Sequence, residues 1–152
     1  MEFRVLLDTD VVINWLIEET ETVSGRELWK APFEIVRLIE DRNILGFISL
    51  TTLLEIRYLL RRKKSYNDQQ IEKDISKITG IFDVVIPDEI TLLRANSLQS
   101  VHPLDPFDAI HLSVAIGLKP ITLISRDKEF INLAENLVDA LTPENFIKTV
   151  TH

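Results

Sequence analysis

The chain has 152 residues, 45% of them hydrophobic and 27% charged, with a formal net charge of −7 and a pI near 5.0. This size and apolar content suit one compact domain, residues 1–152, and the acidic balance argues against bulk electrostatic binding to nucleic acid, unless a cation held among the acids reverses the local field. The sequence contains no cysteine, which excludes a disulfide framework, a thiolate zinc site and a cysteine nucleophile, and fits a reducing cytoplasm.

The opening MEFRVLLDTD sets Glu2 and Arg4 before a short apolar run, too short for a secretory signal. Arg4–Leu7 reads as a short buried strand. Asp10 then offers an N-cap for a helix over Val11–Glu18, with Val12, Trp15 and Leu16 on one face. Thr20–Gly25 is polar and reads as a loop. Arg26–Asn43 is helical in pattern, although Pro32 implies a break or a fresh start. Ile44–Leu50 is a second strand. Thr51–Lys64 is a helix ending in the basic run Arg61–Lys64, which suits the negative end of its dipole and reads as a solvated terminus.

Asn67 can cap a further helix to about Thr79, closed by Gly80. Phe82–Ile86 is a third strand, and Pro87-Asp88 opens a helix towards Val101. A strongly apolar helix follows over Pro106–Ile116, stopped by Gly117 and Pro120. Its surroundings, Ala109–Leu118, include His111 and Ser113 and fall short of a membrane span, so a soluble protein with no membrane partner is expected. Ile121–Ser125 is a fourth strand, Leu137–Leu141 a possible fifth. Strands alternating with helices predict an α/β domain in three layers, α/β/α, around a short parallel sheet of four or five strands.

Acids stand out by position. Asp8 and Asp127 follow the first and fourth strands, and in open α/β sheets ligands bind beyond the carboxyl ends of strands. If those strands are neighbours, the two carboxylates converge. Each acid also has a plainer explanation. Asp127 can cap a turn through Lys128–Phe130, and Asp108 can be a first-turn acid behind a cap at Asp105. Asp8 resists that explanation, because a strand tip needing only a turn does not call for two acids in three positions. Glu55 lies in a helix with Thr51, Thr52, Tyr58 and Leu59 at its neighbouring positions, and so lacks the basic partner of a surface glutamate. Converging carboxylates repel one another unless a divalent cation neutralises them. All-oxygen ligands point to Mg²⁺, with Mn²⁺ as an alternative, over zinc, and such a site performs metal-assisted hydrolysis of a phosphodiester.

The order LLDTDVVINWL, TTLLEIRYLL, DPFDAIHLSVAI and LISRDKEF resembles the PIN-domain ribonucleases, most closely the VapC-type toxins of toxin–antitoxin systems. The resemblance runs from Leu6 to Phe130, and the closing VDALTPENFI is similar to the last strand and tail of that group. It implies a PIN-like fold and an Mg²⁺-dependent endoribonuclease whose acidic quartet is Asp8, Glu55, Asp108 and Asp127. Asp8 and Asp108 would be the most direct metal ligands, while Glu55 and Asp127 would complete the site through waters or a second metal. Thr9 and Ser125 match positions whose hydroxyls orient these carboxylates. Asp10 falls where the family often has Asn or Ser, which implies a cap or a role in the outer shell of the metal. The resemblance further implies an RNA substrate, a cognate antitoxin and a homodimer packed through helices. His111, on an apolar helix, reads as a packed core residue, and Trp15 and Trp29 as core or interface residues. His102 and His152 carry no signal.

Two alternatives stand beside this reading. The string Asp8-Thr9-Asp10-Val11-Val12 also fits a haloacid-dehalogenase-type phosphatase, with Asp8 as nucleophile and Asp10 as general acid. That reading leaves Glu55 and Asp108 unexplained, and the chain after Ser125 lacks the distal acidic pair it requires. The other alternative is a non-catalytic interaction domain whose acids pair with a partner.

Overall fold

The first strand, β1 (Phe3–Leu7), is paired on both sides, which is why Val5, Leu6 and Leu7 form an apolar run without alternation. The computed structural model describes residues 2–63 and 65–151, so Lys64 of the basic run and His152 lie outside the described residues. On one side β1 pairs in parallel with β2 (Ile44–Ser49), Val5 opposite Gly46; on the other it pairs with β4 (Thr122–Ile124), Val5 opposite Thr122. β3 (Asp83–Val85) and β5 (Asp139–Leu141) add to the two edges, giving one five-stranded, all-parallel sheet in the order β3-β2-β1-β4-β5.

Helices cover both faces. Odd residues of β1, Val5 and Leu7, join a core with α1 (Thr9–Leu16), α2 (Lys30–Glu40), α3 (Leu50–Arg61), α4 (Asp68–Ile81) and α8 (Pro143–Val150). Leu6 points the other way, into a second core with α6 (Pro106–Gly117) and α7 (Lys128–Ala134), where Leu98 of α5 (Glu89–Val101) also packs. The two-residue period of a strand thus sorts one short apolar run between two cores. α2 lies close enough on β2 that the side chain of Ile39 fills the space a Cβ at Gly46 would need. No helix among the described residues is long and apolar enough to cross a membrane.

Several boundaries differ from the sequence expectation. The cap of α1 is Asp8, with extended backbone and its carboxylate accepting from Thr9 N; Asp10 is in the first turn and caps nothing. The strand ends at Leu7 and the helix starts at Thr9, so the single residue between them is the cap. α2 begins only at Lys30, with Pro32 in its first turn where a proline's missing N–H is harmless. Asn67 caps α4 through a reciprocal capping box with Gln70, but the helix runs through Gly80 to Ile81. Two helices were not anticipated: α7 behind Asp127, and α8 behind Thr142 with Pro143 at its start. Both are only two turns long, too short for apolar periodicity to declare itself.

Candidate functional site

The strand order reverses between β1 and β4: from β1 the chain moves outward to β2 and β3, then returns to lay β4 on the other side. Loops diverge at such a switch point and leave a crevice beyond the carboxyl ends of the strands. Here it is a small cleft of about 190 Å³ lined by Asp8, Thr9, Asp10, Glu55, Asp105, Phe107, Asp108, His111 and Asp127. All four acids of the expected quartet line it. Wider depressions of about 560 and 540 Å³ open at the amino-terminal ends of the strands, lined respectively by Lys119–Ile121 with Glu135–Asp139 and by residues around Gly46. Their charged side chains are all exposed.

Local chemistry delivers each acid. Asp8 ends β1 and caps α1; Oδ1 accepts from Thr9 N at 2.8 Å, and Oδ2 accepts from Ser125 Oγ at 2.9 Å across the β1–β4 junction. Asp105 caps α6 by accepting from the backbone N of Asp108 at 2.9 Å. Asp127 caps α7, accepting from Glu129 N and Phe130 N at 3.0 and 3.2 Å. The plainer explanations of Asp127 and the Asp105–Asp108 pair are therefore correct, and the acids converge nonetheless. Three helix N-termini meet at one cleft, and their positive ends offset part of the repulsion among the carboxylates.

Glu55 arrives from α3, one turn beyond the buried Thr52. Its Oε1 accepts from Thr9 Oγ1 at 2.7 Å, and Thr9 Oγ1 also meets Thr52 Oγ1 at 3.0 Å. The two expected orienting hydroxyls thus act on different acids: Thr9 holds Glu55, and Ser125 holds Asp8. Ser125 also accepts from Asp127 N at 3.1 Å, tying the second strand tip to the first. Asp10, freed from capping, lies at the mouth of the cleft.

The residue that sequence reasoning placed in the core is His111. It is 1% exposed, yet its Nε2 lies 3.4 Å from Glu55 Oε1 and 3.6 Å from Asp8 Oδ1, while Nδ1 is buried with no partner. The available signal was its spacing: three residues after Asp108, it shares that acid's helix face.

The cleft strains its own charges. Burial pushes the Asp8 carboxyl above its ordinary value despite His111, Ser125 and Thr9, all of which favour the charged form. Asp108 is pushed up to about 7, first by desolvation and then by Asp105, Asp8 and Asp127, with His111 opposing. Asp10 rises to about 6, by desolvation and the carboxylates of Asp8, Glu55, Glu19 and Asp127. Burial works to lower His111, but its bond to Glu55 and the charges of Asp8, Glu55 and Asp108 hold it above its usual value. A positive charge placed among these acids would favour the ionised form of each. Among the described residues no three His, Asp or Glu side chains are arranged to hold a bare metal ion directly. The donor set is hard oxygen throughout, and the cleft has room for a hydrated ion. The residues therefore fit a hydrated divalent cation of the Mg²⁺ type, which takes one or two carboxylates and keeps several waters.

The family model of the PIN domain matches residues 4–129. No curated protein matches the sequence. Solved structures with a similar fold include VapBC2 from Rickettsia felis bound to a DNA fragment from its promoter, with TM-score 0.67, 14% identity, and coverage of 91% of this chain and 98% of that one. A toxin–antitoxin complex from Klebsiella pneumoniae gives 0.63, 21%, 91% and 97%. PAE2754 from Pyrobaculum aerophilum gives 0.69, 15%, 99% and 98%. At these identities the likeness is one of fold.

Proposed function

This chain belongs to the PIN-domain family, and from that premise we propose that it is an Mg²⁺-dependent endoribonuclease, the toxin of a toxin–antitoxin pair, formed by one domain over residues 1–152. The observation that carries the reading is the convergence of Asp8, Glu55, Asp108 and Asp127 on one cleft at the switch point of the sheet. Asp8 and Asp108 would hold the cation, with Glu55 and Asp127 reaching it through water; Mn²⁺ would serve in its place. A cation bound there would polarise the scissile phosphate and favour ionisation of the attacking water.

The chain's own residues supply the rest. Ser125 and Thr9 lock the carboxylates of Asp8 and Glu55, so little reorganisation is needed when a phosphate enters. Glu55 or Asp127, which would reach the cation only through water, lines the same cleft and would be placed to accept a proton from the attacking water. Phe107, 45% exposed in the same wall, offers an apolar surface beside the phosphate path. The dehalogenase reading makes no use of Glu55 or Asp108 and is left without support by the family match.

For partners, the solved relatives from Rickettsia felis and Klebsiella pneumoniae are described as complexes, the latter of toxin with antitoxin, which supports a cognate antitoxin here. A homodimer is supported by α5, whose solvent side carries Ile90, Leu93 and Val101, all more than 60% exposed, continued by Ile86. Glu89 and Arg94 are its only charged residues, and Arg94 is turned inward onto Ser113. An uncharged apolar stripe can meet its own copy without like-charge repulsion. The cytoplasm is the compartment in which such a toxin would meet RNA.

The test is cleavage of single-stranded RNA by the purified chain with Mg²⁺ or Mn²⁺, with a chelator, and with Asp108→Asn. Cleavage that needs the cation and vanishes in the variant is expected; in cells, expression of the chain alone arrests growth and Asp108→Asn relieves it. Absence of cleavage with retained binding to the product of a neighbouring reading frame would make it an interaction domain.

A further inference from the structure

One turn of α6 separates Asp108 from His111, so both side chains leave the helix on the same side and reach the cleft together. Asp108 stays at the mouth, half-buried; His111 is sealed beneath it. The imidazole edge that enters the cleft is Nε2, at 3.4 Å from Glu55 Oε1, 3.6 Å from Asp8 Oδ1 and 3.5 Å from Thr9 Oγ1. The other edge, Nδ1, faces a buried environment with no hydrogen-bond partner.

That asymmetry decides where the hydrogen sits. A hydrogen on Nδ1 alone would be a buried donor with no acceptor, and would turn the Nε2 lone pair towards two carboxylates. A hydrogen on Nε2 faces both carboxylates, and in the charged ring Nε2 carries one as well. In either form, Nε2–H points between Asp8 and Glu55. These distances exceed those of strong hydrogen bonds, so the ring acts as a spacer of matching polarity between the two acids. A residue placed only to fill the core would not aim its polar edge there.

We propose that His111 is a positioning residue that sets the separation of Asp8 and Glu55, so that each keeps an oxygen lone pair turned to the same hydrated divalent cation. The two acids come from different parts of the chain, Asp8 from the cap between β1 and α1 and Glu55 from within α3. Thr9, itself braced by Thr52, holds Glu55 from one layer of the fold, and His111 faces both acids from the opposite layer. Among the described residues Glu55 Oε2 accepts no hydrogen bond and is the oxygen left for the cleft. α6 thereby contributes one acid and holds two others, which makes this helix the element that gauges the site.

The inference rests on the proposed cation site, and the experiment separates the two. Mn²⁺ alone is titrated into the whole chain, without RNA, for the wild type, Asp108→Asn, His111→Leu and His111→Gln. Loss of an outer partner of a metal ligand typically lowers affinity about 10- to 100-fold. His111→Leu, of similar bulk, is expected to fall in that range; His111→Gln, whose amide N–H reaches the place of Nε2, is expected to return to within a few-fold of wild type. Wild-type affinity in a folded His111→Leu would overturn the positioning role and leave the cation site standing. No Mn²⁺ binding by the wild type would bring down the cation reading and this inference with it. A second measurement needs no variant: the ¹⁵N resonances of the His111 ring should show the hydrogen on Nε2, with Nε2 responding to Mg²⁺. A neutral ring protonated at Nδ1 would refute the proposal whatever the variants do.

Discussion

Arg126 and Asp127 are adjacent, yet they leave β4 for two regions that treat buried charge in opposite ways. Arg126 turns towards α1 and α8, where its guanidinium meets both carboxylate oxygens of Glu144 at 2.9 Å, the side-chain oxygen of Asn14 and the carbonyl of Leu28. Nearly every donor there has an acceptor, and Glu144 is held below the usual carboxylate range, mainly by that pairing against the opposing pull of burial. Asp127 turns the other way, into a cleft where carboxylates crowd one another and where burial and that crowding raise Asp8, Asp10 and Asp108. A satisfied polar cluster fastens one helix to the sheet; an unsatisfied one stores unfavourable electrostatics that a ligand can relieve. Both are charged and they are adjacent in the chain, and only their partners tell structure from candidate function.

The sharpest way to break this contrast is to neutralise the cleft. Asp8→Asn and Asp108→Asn should each lower RNA cleavage by about 10²–10³-fold, corresponding to the several kcal/mol of transition-state stabilisation that a held cation supplies. Both should fold at least as well as wild type, since each removes a repelling charge. Single-turnover assays beside thermal melts measure the two effects, and variants that melt lower without losing cleavage would invert the assignment.

Arg126→Ala should show the reverse pattern. Breaking a buried pair costs about 3–5 kcal/mol, and Glu144 is one-third exposed, so a loss of about 2–3 kcal/mol is expected. For a chain of this size that lowers Tm by roughly 5–10 °C, with cleavage per folded molecule retained. An unchanged melting temperature would show that the clamp does not fasten α8.

A third contrast is the response to pH. In the fold Asp108 sits at about 7 and Asp10 at about 6, against 3.8 for the free side chain. The folded state therefore binds these protons more tightly, and the stability they contribute, complete below pH 3.8, is lost as pH rises through 6 and 7. His111, also raised, acts in the same direction. Glu144, lowered from 4.5, loses its contribution only at pH values below that window. The chelated protein should melt higher at pH 5 than at pH 8. Asp108→Asn should flatten that slope, and Mg²⁺ should stabilise preferentially at pH 8. A melting temperature that rises from pH 5 to pH 8 under chelation would contradict the account.

The smallest expected effect belongs to Asp10. It lies at the mouth of the cleft, makes no side-chain hydrogen bond to Ser125 or Thr9, and is not the cap of α1. Asp10→Asn should reduce cleavage less than about tenfold, below the one pKa unit's worth of interaction, 1.36 kcal/mol, that separates a bystander from a participant. A loss equal to that of Asp108→Asn would make it a fifth working acid.

Much of this was legible in the order of residues, because short-range rules wrote it. Apolar runs of strand length between helical periods implied the layered α/β class, and Asn67, Asp88 and Asp105 announced helix starts through side chains that satisfy orphan backbone donors within a turn. The same rule misassigned Asp10, since two acids straddling Thr9 can each serve as cap and only the length of β1 chooses between them. It missed α7 and α8, whose two turns are stabilised by packing rather than by pattern.

By itself, then, the sequence determined the alternation of strands and helices, the caps at Asn67, Asp88 and Asp105, and the presence of acids beyond two strand ends. Tertiary structure alone decided that β1 and β4 are neighbours, which brings Ser125 to Asp8 across 117 positions. It alone turned His111 from core filler into the polar edge between Asp8 and Glu55, and gave Arg126 and Asp127 opposite fates. Caps and periodicity act over three or four residues, where sequence spacing is distance. The cleft is made of contacts between elements, where spacing along the chain carries no distance until the sheet has set its order.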